Sequence, residues 1–104
     1  MKADQGVKLL MTWDIRDGRE EDYFEFHIRK FLPTLEKLGV TLSEAWLTVY
    51  GVQPRMMAEA KLNNLQSAHT VLYSQAWDEL GLELDDFVEN FTYKLIKAGG
   101  GFQI

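Results

Sequence analysis

Val7-Lys8-Leu9-Leu10-Met11-Thr12-Trp13-Asp14-Ile15 is the stretch that decides the architecture. Val7, Leu9, Met11, Trp13 and Ile15 fall at every second position, the period of a strand with one dry face. The alternate residues, Lys8, Leu10, Thr12 and Asp14, are mixed, so the other face is only partly dry. Directly after it, Asp17-Gly18-Arg19-Glu20 reads as the opening of a helix. Asp17 is placed to cap and Glu20 to answer three residues on.

Working outward, Phe24, Ile28, Phe31, Leu35 and Leu38 are spaced 4, 3, 4 and 3 apart, which puts them on one helical face. Pro33 lies within this run and is expected to kink or split the helix. Gly39 ends it. A second strand follows over Thr41 to Tyr50, with Ala45, Leu47 and Val49 on one side and Glu44, Trp46, Thr48 and Tyr50 on the other. Gly51-Val52-Gln53-Pro54 reads as a turn.

The pattern then repeats from Arg55 to Lys97. Arg55 to Leu62 alternates as a strand. Asn63 or Asn64 caps a helix whose core stripe is Leu65, Ala68, Leu72 and Ala76 and which is expected to stop at Gly81. Leu82 to Asn90 is a link with about one helical turn near Asp85 to Val88, and Phe91 to Lys97 is the last strand.

Strand, helix, strand, strand, helix, strand, with right-handed crossovers, gives an α+β ferredoxin-like βαββαβ sandwich: a four-stranded antiparallel sheet with two helices on one face. We read 1–104 as one such domain, with flexible tails at 1–6 and 99–104. The face toward the helices takes Val7, Leu9, Met11, Trp13, Ile15, Ala45, Leu47, Val49, Met56, Ala58, Ala60, Leu62, Phe91, Tyr93 and Leu95. The open face takes Leu10, Thr12, Asp14, Leu42, Glu44, Trp46, Thr48, Tyr50, Arg55, Met57, Glu59, Lys61, Thr92 and Lys94. An apolar patch rimmed by charge marks an interface or a ligand surface. A second copy docked sheet to sheet, a homodimer, is its simplest cover.

Composition narrows the function. A net charge of −5 argues against nucleic acid, which calls for a basic stripe. With no cysteine, thiolate catalysis, disulfides and cysteine-ligated metals are excluded, and a reducing, cytoplasmic setting fits. No apolar run approaches a membrane span, and the first residues lack the apolar core of a signal peptide. No serine stands in a nucleophile elbow. The glycines at 99–101 open no helix and so form no phosphate loop. The two histidines have no metal-ligand spacing, so no metal or other cofactor is expected.

The candidate catalytic residues are His27 as a general base, with Tyr23 four residues before it and Asp14 as orienting groups. Against this stands the plainer reading of His27 as a half-buried histidine on a helix flank. Trp46, Tyr50, Thr12, Arg55 and Met57 are candidate substrate-binding residues on the open face, and His69 and Trp77 on the second helix. There the His69, Tyr73 and Trp77 stripe reads equally as core or dimer contact. The charges Asp14, Glu44, Arg55, Glu59, Lys61 and Lys94 read either as a pocket with a perturbed carboxylate or as salt bridges that set dimer register.

Four pieces resemble a known group. They are Asp17-Gly18-Arg19-Glu20-Glu21-Asp22-Tyr23; Phe26-His27 with Phe31-Leu32-Pro33; Ser67-Ala68-His69 with Ser74-Gln75-Ala76-Trp77; and Phe87-Val88-Glu89-Asn90-Phe91. In this order they resemble the dimeric α/β-barrel superfamily, in particular its NIPSNAP, EthD and antibiotic-biosynthesis-monooxygenase branches, over about residues 7 to 97. Gln75 stands where that pattern commonly has proline. The resemblance implies a homodimer whose two sheets close a barrel, with a pocket in each subunit beside sheet and helices. It implies no single reaction. Cofactor-free monooxygenases and isomerases acting on apolar or aromatic molecules are among the members. So are haem-degrading enzymes, whose Asn, Trp and His trio has no counterpart mapped in this chain. The expectation is a dimeric binder of a small apolar molecule, with a non-catalytic homodimeric module as the alternative.

Overall fold

The computed structural model describes residues 6–50 and 53–97, and the side chains of Val49, Tyr50, Gln53 and Pro54 are outside that description. The tails expected at 1–6 and 99–104 lie, Gly6 apart, outside the described residues, as do Gly51 and Val52 of the turn. The strands are β1 (Val7–Ile15), β2 (Thr41–Tyr50), β3 (Gln53–Leu62) and β4 (Val88–Lys97). The helices are α1 (Glu20–Phe26), α2 (Leu32–Lys37), α3 (Leu65–Leu72) and α4 (Gln75–Leu84), and a π-helical turn, His27–Phe31, joins α1 to α2.

The sheet order is β2-β3-β1-β4 with every neighbouring pair antiparallel. This is the four-stranded antiparallel sheet of the ferredoxin-like α+β fold. Val7, Leu9, Met11, Trp13 and Ile15 are all buried, so the strict alternation in β1 is a core face. Tyr23, Phe31, Leu35, Ala68, Val71, Leu80 and Leu84 cover it from the helices. Each large side chain among them contributes about 1.5–3 kcal/mol.

Pro33 acts one turn upstream of itself. Its ring would strike a carbonyl four residues back in a regular helix, and it has no N–H to donate. The chain widens there instead, and the N–H of Leu32 bonds the carbonyl of His27, five residues back. Such turns recur at functional sites because they re-aim side chains. The second helical stretch is also divided, at Tyr73-Ser74. Ser74 donates its hydroxyl to the Val71 carbonyl (2.7 Å) and accepts from the Trp77 N–H (3.1 Å), so it closes one helix and caps the next. Asn64 caps α3 by accepting from the Ser67 N–H at 2.7 Å.

Several details differ from the sequence reading: Ile28, Leu47, Leu65 and Tyr93, placed on core faces, are exposed. Asp17 caps nothing; Arg19 holds the capping position of α1 with no side-chain bond. Gly81 stops nothing and lies inside α4, because the capping Ser74 restarts the helix only seven residues before it. Leu42 faces the helices opposite Ala60, not the open side, because Ser43 is an extra residue in β2 and the alternation is broken there. β4 begins at Val88, and two steps along β1 from Thr12 to Asp14 match three along β4 from Thr92 to Glu89. Within that bulge Asn90 takes a φ of 60°, a left-handed conformation that asparagine tolerates better than most residues.

Candidate functional site

The helix-side interior is an aromatic cluster built around Trp13. Its ring lies edge-on to Tyr23 and Phe31, with centroids 6.3 and 5.6 Å away, and tilted against Phe91 at 5.7 Å. Beyond these, Phe26 stacks on Phe87 and Trp77 meets Phe91 and Tyr93. A small, half-open space of about 40 Å³ lies between Phe31 of the π-turn, Trp77, Leu80, Gly81 and Leu84 of α4, and Phe91 of β4. A water's share of liquid volume is about 30 Å³, so this space holds one water and is far below the ~300–1,000 Å³ of ligand pockets.

Polar groups flank this apolar space. Tyr23 Oη and His27 Nδ1 are 3.0 Å apart, held in register by one turn of α1. The His27 ring also stacks on Phe31, a wall of the cavity, with centroids 5.4 Å apart. His27 itself does not line the space. Burial lowers the His27 pKa below its ordinary value, because a charged imidazolium loses water there. Burial likewise pushes the Tyr23 hydroxyl well above its ordinary range, with the nearby Trp13 indole opposing. Both groups are therefore neutral near pH 7. Trp13 Nε1 is buried with the Tyr23 hydroxyl as its neighbouring acceptor, off ideal hydrogen-bonding geometry.

The open sheet face carries a separate polar constellation. Asp14, only 8% exposed, accepts from Arg55 Nε at 2.9 Å, from Arg55 Nη2 at 3.4 Å and from Asn90 Nδ2 at 2.9 Å. These hydrogen bonds, Asn90 first and Arg55 second, hold its carboxyl below the usual range against the opposing effect of burial. Thr12 and Thr92 share a 2.9 Å hydroxyl bond beside it, and Lys8 pairs with Glu59 at 3.3 Å. Leu10, Thr12, Met57, Thr92, Tyr93 and Lys94 line a half-open depression of about 520 Å³ there, and Trp46 and Met57 are each 44% exposed.

The candidate residues thus separate into three groups. Tyr23 and His27 pair on the helix side, where Trp77 is a wall of the neighbouring space. Asp14 does not join them: period two sends it through the sheet, where Arg55 and Asn90 occupy its oxygens. Thr12, Arg55, Met57 and Trp46 share the open face with Asp14, and the Tyr50 side chain lies outside the described residues. His69 is exposed on α3, and among the described residues its ring contact is with Tyr73, which is 80% exposed. Sequence reasoning missed Asn90, Phe31 and Gly81 as site residues. For Asn90 the signal was faint, since only the bulge brings it to Asp14. Gly81 was legible only as a helix stop. A glycine inside a helix costs about 1 kcal/mol relative to alanine, yet a Cβ here would meet nothing within 4 Å. Among the described residues no three His, Asp or Glu side chains gather to hold a metal.

No family model matches the sequence, and no curated protein does. Solved structures do resemble it. A NIPSNAP family protein from Agrobacterium tumefaciens has a TM-score of 0.71 at 13% identity, over 98% of this chain and 93% of that one. A NIPSNAP-like domain protein from Burkholderia xenovorans has a TM-score of 0.68 at 12% identity, over 94% and 88%. A candidate antibiotic biosynthesis monooxygenase from Deinococcus radiodurans has a TM-score of 0.67 at 14% identity, over 94% and 97%. At such identities the likeness is one of fold. The chain has the four-stranded antiparallel ferredoxin-like α+β fold, which these NIPSNAP family and monooxygenase-like structures share.

The lowered pKa of His27 has a consequence for stability. Below the ordinary value of 6.5 the unfolded chain takes up a proton that the folded chain refuses, so stability falls as pH drops from there toward the folded pKa. The Asp14 contribution is lost only at lower pH, below its ordinary 3.8. Urea unfolding between pH 7 and 5 should show the first decline, and His27→Gln should flatten it. An equal slope in the variant would show that His27 is not held neutral.

Proposed function

We propose that this chain is a homodimeric small-molecule protein that removes a proton from a small apolar or aromatic substrate, with no metal or other cofactor. The observation that carries the reading is the Tyr23–His27 hydrogen bond at 3.0 Å beside an aromatic-walled cavity. When Nδ1–H donates to the Tyr23 oxygen, Nε2 keeps its lone pair and is the atom that accepts the substrate proton, leaving the substrate as its anion. A neutral imidazole in a partly desolvated setting is suited to this. Proton removal of this kind opens both isomerisation and cofactor-free oxygenation. The likeness in fold to a monooxygenase-like protein is compatible with that and adds no residue roles.

Pairing through the open face supports the dimeric part of the reading. Trp46, Met57 and Leu10 leave apolar surface in water on a lone sheet, and charges surround them. The resemblance described above implies sheet-to-sheet docking. In a dimer of that kind Asp14, Arg55 and Thr12 belong to the barrel interior and set its register. Among the described residues no helix is long and apolar enough to cross a membrane, and a cytoplasmic setting stays part of the proposal.

A second reading, a non-catalytic homodimeric module, is favoured by the small volume of about 40 Å³ and by the hydrogen bonds from Arg55 and Asn90 that engage both oxygens of Asp14. Deuterium exchange separates the two. In D2O the wild type should speed loss of the α-proton signal of acetophenone, and His27→Gln should lower that rate by about 10²-fold or more, the usual worth of a general base. A wild type no faster than buffer would remove the catalytic reading. For the assembly, sedimentation should give a dimer at micromolar concentration and Trp46→Glu should give monomers. A wild-type monomer, or a variant that stays dimeric, would contradict pairing by this face.

A further inference from the structure

The first helical stretch carries two alternative core stripes. Phe31 and Leu35 are buried and set its phase. At about 100° per residue, an unbroken α-helix would bring Phe24 and Ile28 to within about 20–60° of Phe31 and leave Tyr23 about 80° to one side. The structure does the reverse. Tyr23 is fully buried, Phe24 is only partly so, and Ile28 is 67% exposed.

The π-turn His27–Phe31 accounts for the exchange. It takes up one residue more than an α-turn, so the chain before it is rotated by about 100° relative to the chain after it. Tyr23 then falls within about 20° of Phe31, and Ile28 about 160° away on the far side. Tyr23, swung inward, meets the Trp13 ring, and His27 stacks on Phe31. Two independent observations report the same one-residue shift: the bond from the Leu32 N–H to the His27 carbonyl, and the side-chain exposures. Left to its apolar pattern alone, the stretch would bury Phe24 and Ile28. Pro33 denies it that helix, because its ring would meet the Arg29 carbonyl four residues back.

We propose that Pro33 is the positioning residue of the Tyr23–His27 pair: by excluding the unbroken helix, it selects the register in which Tyr23, and not Ile28, packs into the core beside Trp13. This rests on the reading of His27 as a base and adds to it what aims that base. Pro33 acts through the backbone and takes no part in the chemistry itself.

The register is read without ligand, from nuclear Overhauser contacts between the Trp13 and Tyr23 rings, and the chemistry from exchange of the acetophenone α-protons in D2O. Pro33→Ala should lose the Trp13–Tyr23 contacts and gain contacts from the Ile28 methyl groups to the core. It should also slow exchange by about tenfold or more, the scale of a misaimed catalytic group. Ile28→Glu alone should fold like the wild type, because that side chain faces water. Added to Pro33→Ala, it should restore both the ring contacts and the rate, since an unpaired glutamate cannot take a buried place. A loss of stability unconnected with register would not be rescued in this way. Pro33→Ala that keeps the Trp13–Tyr23 contacts would overturn the proposal, and so would a double variant that stays unrestored. A melting temperature lowered by Ile28→Glu alone would also overturn it, by placing Ile28 in the core already. A wild type that does not speed exchange would remove the catalytic reading, and the ring contacts would then decide the register by themselves.

Discussion

The packing of Trp13 is the contact on which the rest of the structure depends. One ring on β1 touches Tyr23 of α1, Phe31 of the π-turn and Phe91 of β4. It thereby fixes where the first helical stretch crosses the sheet and where β4 runs after its bulge. The geometry of these aromatic pairs, edge-on or tilted at 5.6–6.3 Å, is the kind that adds about 0.5–1.5 kcal/mol each beyond simple burial. The same packing holds Tyr23 in a dry environment, and Tyr23 in turn orients His27.

The sheet keeps two chemistries apart. On the helix side the polar groups are few, neutral and surrounded by rings. On the open side Asp14, Arg55 and Asn90 form a charged network around a half-open depression. A carboxylate with three hydrogen bonds stays ionised and is a poor base, whereas an imidazole denied water stays neutral and is a good one. Physical chemistry thus favours His27 over Asp14 for proton transfer, and assigns Asp14 to holding β1, β3 and β4 together at the bulge.

Much of the fold was legible because period two and period 3.6 are imposed by backbone geometry. The alternation in Val7–Ile15 maps onto buried positions, and of the helical stripe Phe31 and Leu35 are buried, Phe24 and Leu38 partly so, while Ile28 is 67% exposed. What stayed hidden depended on single-residue irregularities. Ser43 adds one residue to β2 and so sends Leu42 to the helix side. The β4 bulge brings Asn90 to Asp14, and Pro33 was legible as a disruption but not as a π-turn that re-aims His27 and Phe31. For the candidate site, the i to i+4 relation of Tyr23 and His27 placed them together. The same alternation rule that identified the core also put Asp14 on the far side of the sheet, which its role beside His27 had not taken into account. Gly81 was legible only as a helix stop, and it lies inside α4.

If Trp13 is the dry centre of the molecule, its indole N–H is the most direct witness. Hydrogen exchange of the three indole protons, read by proton–nitrogen NMR at pH 7, tests this without any ligand. The Trp13 indole should exchange only through global unfolding, at the rate of the slowest core amides. Exchange at the rate of a free indole would contradict the account, because it would place Trp13 in contact with water and remove the packing that positions Tyr23 and His27.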